Sequence, residues 1–152
     1  MRFERIEAKP LHCGQLARTL RTEHRRILSD MQVPTHHELR AAFDASIMRR
    51  AWLMDGVLSG IAGLTATAAS SEGVLWLAIT DEAAAHPFHV AREALRFLKE
   101  VMMTRRRVST TMLADDKAGV QLAYFLGFNT DERTTINGAS VLVMSYAVRK
   151  AA

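Results

Sequence analysis

Apolar and polar positions along this chain alternate between two periods, and the switches between them mark the elements. Gly73-Val-Leu-Trp-Leu-Ala-Ile-Thr80 is a continuous apolar run of strand length, and Val108-Ser-Thr-Thr-Met-Leu113 is a second β-like run. Between them, after an acidic and alanine-rich link (Asp81–Ala85), a helix opens at His86-Pro87. Its apolar face is Val90, Ala91, Ala94, Leu95, Leu98, Val101 and Met102, with Arg92, Glu93, Arg96, Lys99 and Glu100 facing away. Arg96 and Glu100 are spaced for an ion pair. A further helix, Lys117–Leu126, carries Ala118, Leu122, Phe125 and Leu126 inward and is capped by Asp115-Asp116. Strands bounded by helices in this way call for parallel neighbours joined by a right-handed crossover.

The flanking segments follow the same logic. Arg2–Ala8 alternates weakly and predicts an edge strand stopped by Pro10. From Leu11 to Met31 the residues Leu16, Leu20, Ile27, Leu28 and Met31 keep a helical period, which predicts one amphipathic helix. Thr35-His-His-Glu38 matches a capping box and opens a helix that buries Leu39, Ala42 and Phe43 and ends near Ser46. Asp55-Gly56 between Ile47–Met54 and Val57–Ala66, and Asn137-Gly138 between Thr134–Ile136 and Ala139–Val148, are hairpin signals of type I′. Gly60 and Gly63 weaken their strand and point to a bulge. The order is β-α-α-β-β-β-α-β-α-β-β: an α/β fold with a single mixed sheet flanked by helices.

Composition bounds the function. A chain of 152 residues that is 49% hydrophobic and 24% charged reads as one domain, residues 1–152, with a substantial core. No apolar run reaches the roughly 20 residues of a membrane span. The N-terminus lacks the apolar core of a signal peptide, and a single cysteine, Cys13, allows no internal disulfide. The net charge of +4 comes from 16 Arg and 4 Lys against 16 acidic residues. Arginine recognises carboxylates and phosphates through a bidentate fork. Arg49-Arg50 and Arg105-Arg106-Arg107, together with Trp52, therefore define a candidate surface for an acidic partner. Their alternative is a solvated face. His36-His37 and His12-Cys13 lack metal-ligand spacing, so no metal site is expected.

The strand-helix-strand-helix order and the closing Leu126-Gly127-Phe128 resemble the core of the GNAT superfamily of acyl-CoA-dependent N-acetyltransferases. Over nearly all of its length the chain is more similar to a divergent branch found in short-tailed bacteriophages, which includes internal virion proteins. The resemblance implies a GNAT-like fold in which the Gly73–Thr80 and Val108–Leu113 strands splay apart; Trp76, in the middle of the first run, is expected to be largely buried. In GNAT enzymes the coenzyme diphosphate sits on a glycine-bearing loop ahead of a helix. Here that place is taken by Asp81-Glu-Ala-Ala-Ala-His86, with no glycine, two carboxylates and then Pro87. The cofactor-binding candidates are Ile79, Thr80, His86 and His89. The family's acid, a tyrosine four residues before the glycine, falls on Ala123. Tyr124, about 100° further round the helix, is the catalytic candidate.

Two functions follow from the resemblance. One is a structural or assembly component of a virion with a degenerate acyl-CoA site, no cofactor, and other virion proteins or its own copies as partners, located in the virion or host cytoplasm. The alternative is an active acetyl-CoA-dependent N-acetyltransferase acting on a protein or small-molecule amine. Neither membrane nor nucleic-acid binding is expected.

Overall fold

The computed structural model describes residues 1–67 and 69–148. Among the described residues seven strands form one mixed sheet: β1 (Phe3–Ile6), β2 (Ser46–Met54), β3 (Val57–Thr65), β4 (Glu72–Ile79), β5 (Arg107–Leu113), β6 (Asn129–Ile136) and β7 (Ala139–Ala147). Their spatial order is β1-β2-β3-β4-β5-β7-β6. Only β4 and β5 run parallel; every other neighbouring pair is antiparallel. This is the expected α/β architecture with one mixed sheet, including the expected parallel pair. Both hairpins are type I′, with positive φ at Asp55 and Gly56 and at Asn137 and Gly138.

Side chains of successive strand residues point to opposite faces, so the sheet has two cores. One face carries Ala51, Ile61 and Ala78 and is covered by α1 (Pro10–Thr19), α2 (Thr22–Asp30) and α3 (Thr35–Ala45) through Cys13, Leu16, Leu20, Leu28, Leu39 and Phe43. The other carries Trp52, Ala62, Leu64, Val108, Leu142 and Met144. It is covered by α5 (Pro87–Met102) and α6 (Lys117–Leu126) through Phe97, Leu98, Val101 and Ala123. A one-turn helix, α4 (Asp81–Ala84), sits between β4 and α5 where a link was expected.

Several expectations are corrected. The single helix over Leu11–Met31 is two helices, because Leu20 and Arg21 are extended. Tertiary hydrogen bonds win over helical period there: Leu20 bridges Thr80, and the Arg21 N–H donates to the Ile79 carbonyl at 2.8 Å. Pro10 starts α1 rather than merely ending β1, since its missing N–H costs nothing in a first turn. Thr35 is the first residue of α3 behind Pro34, with no side-chain cap bond, so the capping box does not form. β6 begins at Asn129, five residues before the expected strand; seven of its eight residues are exposed, so no apolar pattern marked it. The bulge expected near Gly60 is present as a register shift opposite Trp52 and Leu53.

Trp52, expected on a contact surface, is enclosed, while Trp76 packs against the other core with part of its surface open. Trp52 is 3% exposed, and its indole N–H donates to Glu93 at 3.2 Å, so it cannot belong to a contact surface. Trp76 is only partly buried and donates to the Ser46 hydroxyl at 2.7 Å. Its indole packs against Gly63, where a Cβ would stand 2.4 Å from the ring nitrogen. Glu93, expected to face solvent, is buried and accepts from Trp52 and Arg96. Glu100 does not pair with Arg96; it pairs with Arg5 of β1 and Arg50 of β2.

Candidate functional site

The parallel ladder between β4 and β5 lasts for three pairs, Glu72↔Arg107, Gly73↔Val108 and Val74↔Ser109. Beyond it β4 stays paired to β3 as far as Ile79, and β5 stays paired to β7 as far as Leu113. Each strand follows its outer neighbour, and the sheet splits. The splay expected from the resemblance is present. It opens a cleft of about 440 Å³.

The split leaves main-chain groups without ladder partners. Ile79 turns its carbonyl to the cleft side, where Arg21 takes it, while the Thr80 N–H turns to Ser59 of β3 at 2.9 Å. Alternation then aims the Leu77 N–H and C=O and the Leu75 C=O into the cleft. Just past the facing strand the Ala114 N–H donates to the Ser140 carbonyl of β7 at 2.9 Å, so the N–H and C=O of Thr111 point into the cleft. Main-chain groups of this kind require a partner or solvent.

The cleft walls differ in character. The α5–α6 side is apolar, with Val90, Ala94, Phe97, Leu122, Ala123 and Leu126. The far end is polar and is built by Arg21, His24, Glu38 and Asp116. Arg21 donates twice to the Asp116 carboxylate, at 3.1 and 2.8 Å. Arg21 is tied to the end of β4 and Asp116 follows β5, so this ion pair joins the two halves of the split sheet. Asp116 also caps α6, accepting from the Gly119 N–H at 3.3 Å. A Cβ on residue 119 would sit 2.7 Å from that carboxylate, which explains a glycine inside the helix. Burial works to raise the Asp116 pKa, but the Arg21 hydrogen bonds and charge, the Gly119 amide and His24 together hold it below the usual value. His24 is pushed down by burial and then by the Arg21 charge, against the opposing pull of Asp116. Glu38 makes no ion pair among the described residues.

At the junction of β4 and α5, where GNAT enzymes hold a diphosphate, the amides are already occupied. The Ala83 N–H donates to the Thr80 hydroxyl at 3.2 Å, Ala84 to Thr80 O, Ala85 to Asp81 O and His86 to Ala83 O. Pro87 has no N–H. Asp81 is not an uncompensated charge, because its carboxylate caps α2 by accepting from the Thr22 N–H at 2.9 Å and hydroxyl at 2.7 Å. Those two bonds, from the hydroxyl first, hold its pKa low. No carboxylate-free, glycine-lined cradle is present, and the helical turn of α4 takes its place.

The predicted site residues are dispersed. Ile79 lines the cleft. Thr80 is buried and acts as the N-cap of α4. His86 is the N-cap of α5 and is exposed, without a side-chain cap bond. His89 stacks on Phe3 with ring centres 5.4 Å apart and meets Arg92 at 3.1 Å. Tyr124 lies outside the cleft lining, half exposed, with its hydroxyl 2.7 Å from the Thr130 hydroxyl, while its neighbour Ala123 is buried against the cleft. The clustered arginines have separate partners within the fold. Arg49 lies over the Phe43 ring at 4.2 Å, Arg50 pairs with Glu100, and Arg107 pairs with Glu72 and Asp131. Arg105 is buried and donates to Ser70 O at 2.7 Å; Arg106 is exposed. Among the described residues no group of acidic, histidine or cysteine side chains is arranged to hold a metal, and no helix is long and apolar enough to cross a membrane.

The sequence reading missed Arg21, His24, Glu38 and Asp116 as a group. They stand on three segments, the start of α2, α3 and the turn before α6, and the register of the α1–α2 break against β4 brings them together.

No protein-family model and no curated protein matches this chain. Solved structures do. An acetyltransferase of the GNAT family from Streptococcus pneumoniae superposes with a TM-score of 0.63 at 16% identity, over 97% of this chain and 100% of that one. The ribosomal-protein-S18-alanine N-acetyltransferase from Escherichia coli gives 0.71 at 12%, over 99% and 97%. YncA from Salmonella typhimurium, whose structure holds its cofactor acetyl-CoA, gives 0.66 at 10%, over 100% and 97%. At these identities the similarity speaks for architecture, and the chain has the GNAT acetyltransferase fold.

Proposed function

We propose that the protein is a GNAT-fold component without a working acyl-CoA site, serving a structural or assembly role in a bacteriophage virion. The observation that carries the first half is the occupied diphosphate position. Four successive amides, from Ala83 to His86, bond within their own turn, and Pro87 supplies none. A helix-terminal charge interaction of about 0.3–1 kcal/mol cannot replace a missing amide cradle. The placement of Tyr124 outside the cleft lining, with its hydroxyl on Thr130, supports the same reading. The virion setting, with other virion proteins or further copies as partners, rests on the resemblance of the whole chain to the phage branch.

A second reading is favoured by the cleft itself. Its free main-chain groups and its polar end suit an extended thioester ligand, and structures of this fold hold acetyl-CoA. On that reading the protein is an amine N-acetyltransferase. Titration calorimetry with acetyl-CoA separates the two. The expected Kd is weaker than about 1 mM, with an increase in affinity on Glu82→Gly. Micromolar binding by the unmodified protein overturns the first reading in favour of an enzyme.

A further inference from the structure

We propose that the cleft between β4 and β5 takes an extended peptide segment of a partner protein, added as a short strand, with a lysine or arginine of that segment set against Glu38. Three observations carry this, and none of them depends on whether acetyl-CoA binds.

The first is the pair of open strand edges. Leu75 C=O and both polar groups of Leu77 face Thr111 across the split, each with its outer side already paired. A peptide in β conformation carries donors and acceptors on both of its edges, and strand addition satisfies such groups through the main chain without regard to sequence. From Leu75 to Ile79 the free run is about 13 Å at roughly 3.3 Å per residue, enough for about four residues.

The second is the two-faced lining. Side chains of an inserted strand alternate between faces. On one side they meet Val90, Phe97, Leu122 and Leu126, which suit β-branched or leucine side chains. On the other they meet the α2–α3 end of the cleft.

The third is charge. At that end Arg21 and Asp116 neutralise one another in a bidentate pair, burial and then the Arg21 charge push the His24 pKa down, and Glu38 has no ion-pair partner among the described residues. One net negative charge therefore faces a segment that enters, which selects a cation and rejects an acid.

The test uses the whole protein and a library of pentapeptides blocked at both ends by acetyl and amide groups. Selection is expected to enrich sequences that alternate apolar residues with one lysine or arginine. For a selected peptide, methylation of alternate main-chain nitrogens is expected to weaken binding at least tenfold, as is replacing its basic residue by glutamate. Glu38 is exposed on α3, so Glu38→Lys keeps the fold, and it is expected to reverse the charge preference. The Leu77 and Thr111 amide resonances should shift and their exchange with solvent should slow. The proposal is overturned if the library enriches nothing, if the N-methylated peptide binds within threefold of its parent, if Glu38→Lys leaves the preference unchanged, or if binding leaves those two amides unmoved.

Discussion

Removing the carboxylate of Asp116 tests the bridge that ties the split sheet together. Asp116 does two jobs that different substitutions separate. As the cap of α6 it is worth about 1 kcal/mol, a contribution that asparagine retains. As the partner of Arg21, with side chains 11% and 16% exposed, it belongs to a largely buried pair. Breaking such a pair from one side costs about 2–3 kcal/mol, a little below the range for complete burial. Asp116→Ala is therefore expected to lose about 3 kcal/mol and Asp116→Asn about 2 kcal/mol. For a chain of this size, thermal denaturation should show midpoints lower by about 6–12 °C and 4–8 °C. Arg21→Met should cost a similar amount, and the double variant Arg21→Met/Asp116→Asn should recover about 1.5 kcal/mol of the summed losses. The acid limb carries the same information. The folded pKa of Asp116 is depressed, so its contribution is complete above the ordinary carboxylate range and is lost as pH falls through the folded value. Asp116→Asn should flatten that limb. A midpoint for Asp116→Asn within about 1 °C of the parent, or additive losses in the double variant, would refute the bridge.

Two further substitutions probe the sheet. Gly63→Ala places a methyl group 2.4 Å from the Trp76 ring nitrogen and 2.6 Å from the Ser46 hydroxyl, so the indole must leave its hydrogen bond. A loss of about 1–3 kcal/mol is expected, with a shift in tryptophan emission; an unchanged spectrum and midpoint would contradict the packing. Glu93→Leu strands the buried Trp52 N–H and removes the partner of Arg96, at an expected cost of about 3 kcal/mol with loss of near-ultraviolet dichroism. A neutral outcome in denaturant melts would mean that the network contributes nothing net.

The sequence carried the architecture wherever a local pattern determined it. The apolar run at Gly73–Thr80, the type I′ pairs at Asp55-Gly56 and Asn137-Gly138, and the helices behind Pro87 and Asp116 are each set by residues within a few positions. The failures have tertiary causes. Nothing in the stripe Leu16, Leu20, Ile27 records that Arg21 must donate to Ile79, so the helix reads as continuous. Alternation in β2 and β4 cannot say which of Trp52 and Trp76 is enclosed, because both faces of the sheet are covered. Glu93 looks like a solvent residue until Trp52 and Arg96 are placed around it. The cleft was legible as a split between two strands. Its polar end was not, because Arg21, His24, Glu38 and Asp116 meet only through contacts that span as many as 95 residues of chain.

The two outer strands bear on how copies of this protein meet. β1 is four residues long and carries Glu4 and Arg5, while β6 carries Asp131, Glu132 and Arg133 and loses register between Thr130 and Glu132. Shortness, charge and an irregular step each discourage a second chain from docking along a sheet margin. At high local concentration such a molecule resists growth into continuous intermolecular sheets. A contact between copies would have to use some surface other than these two margins.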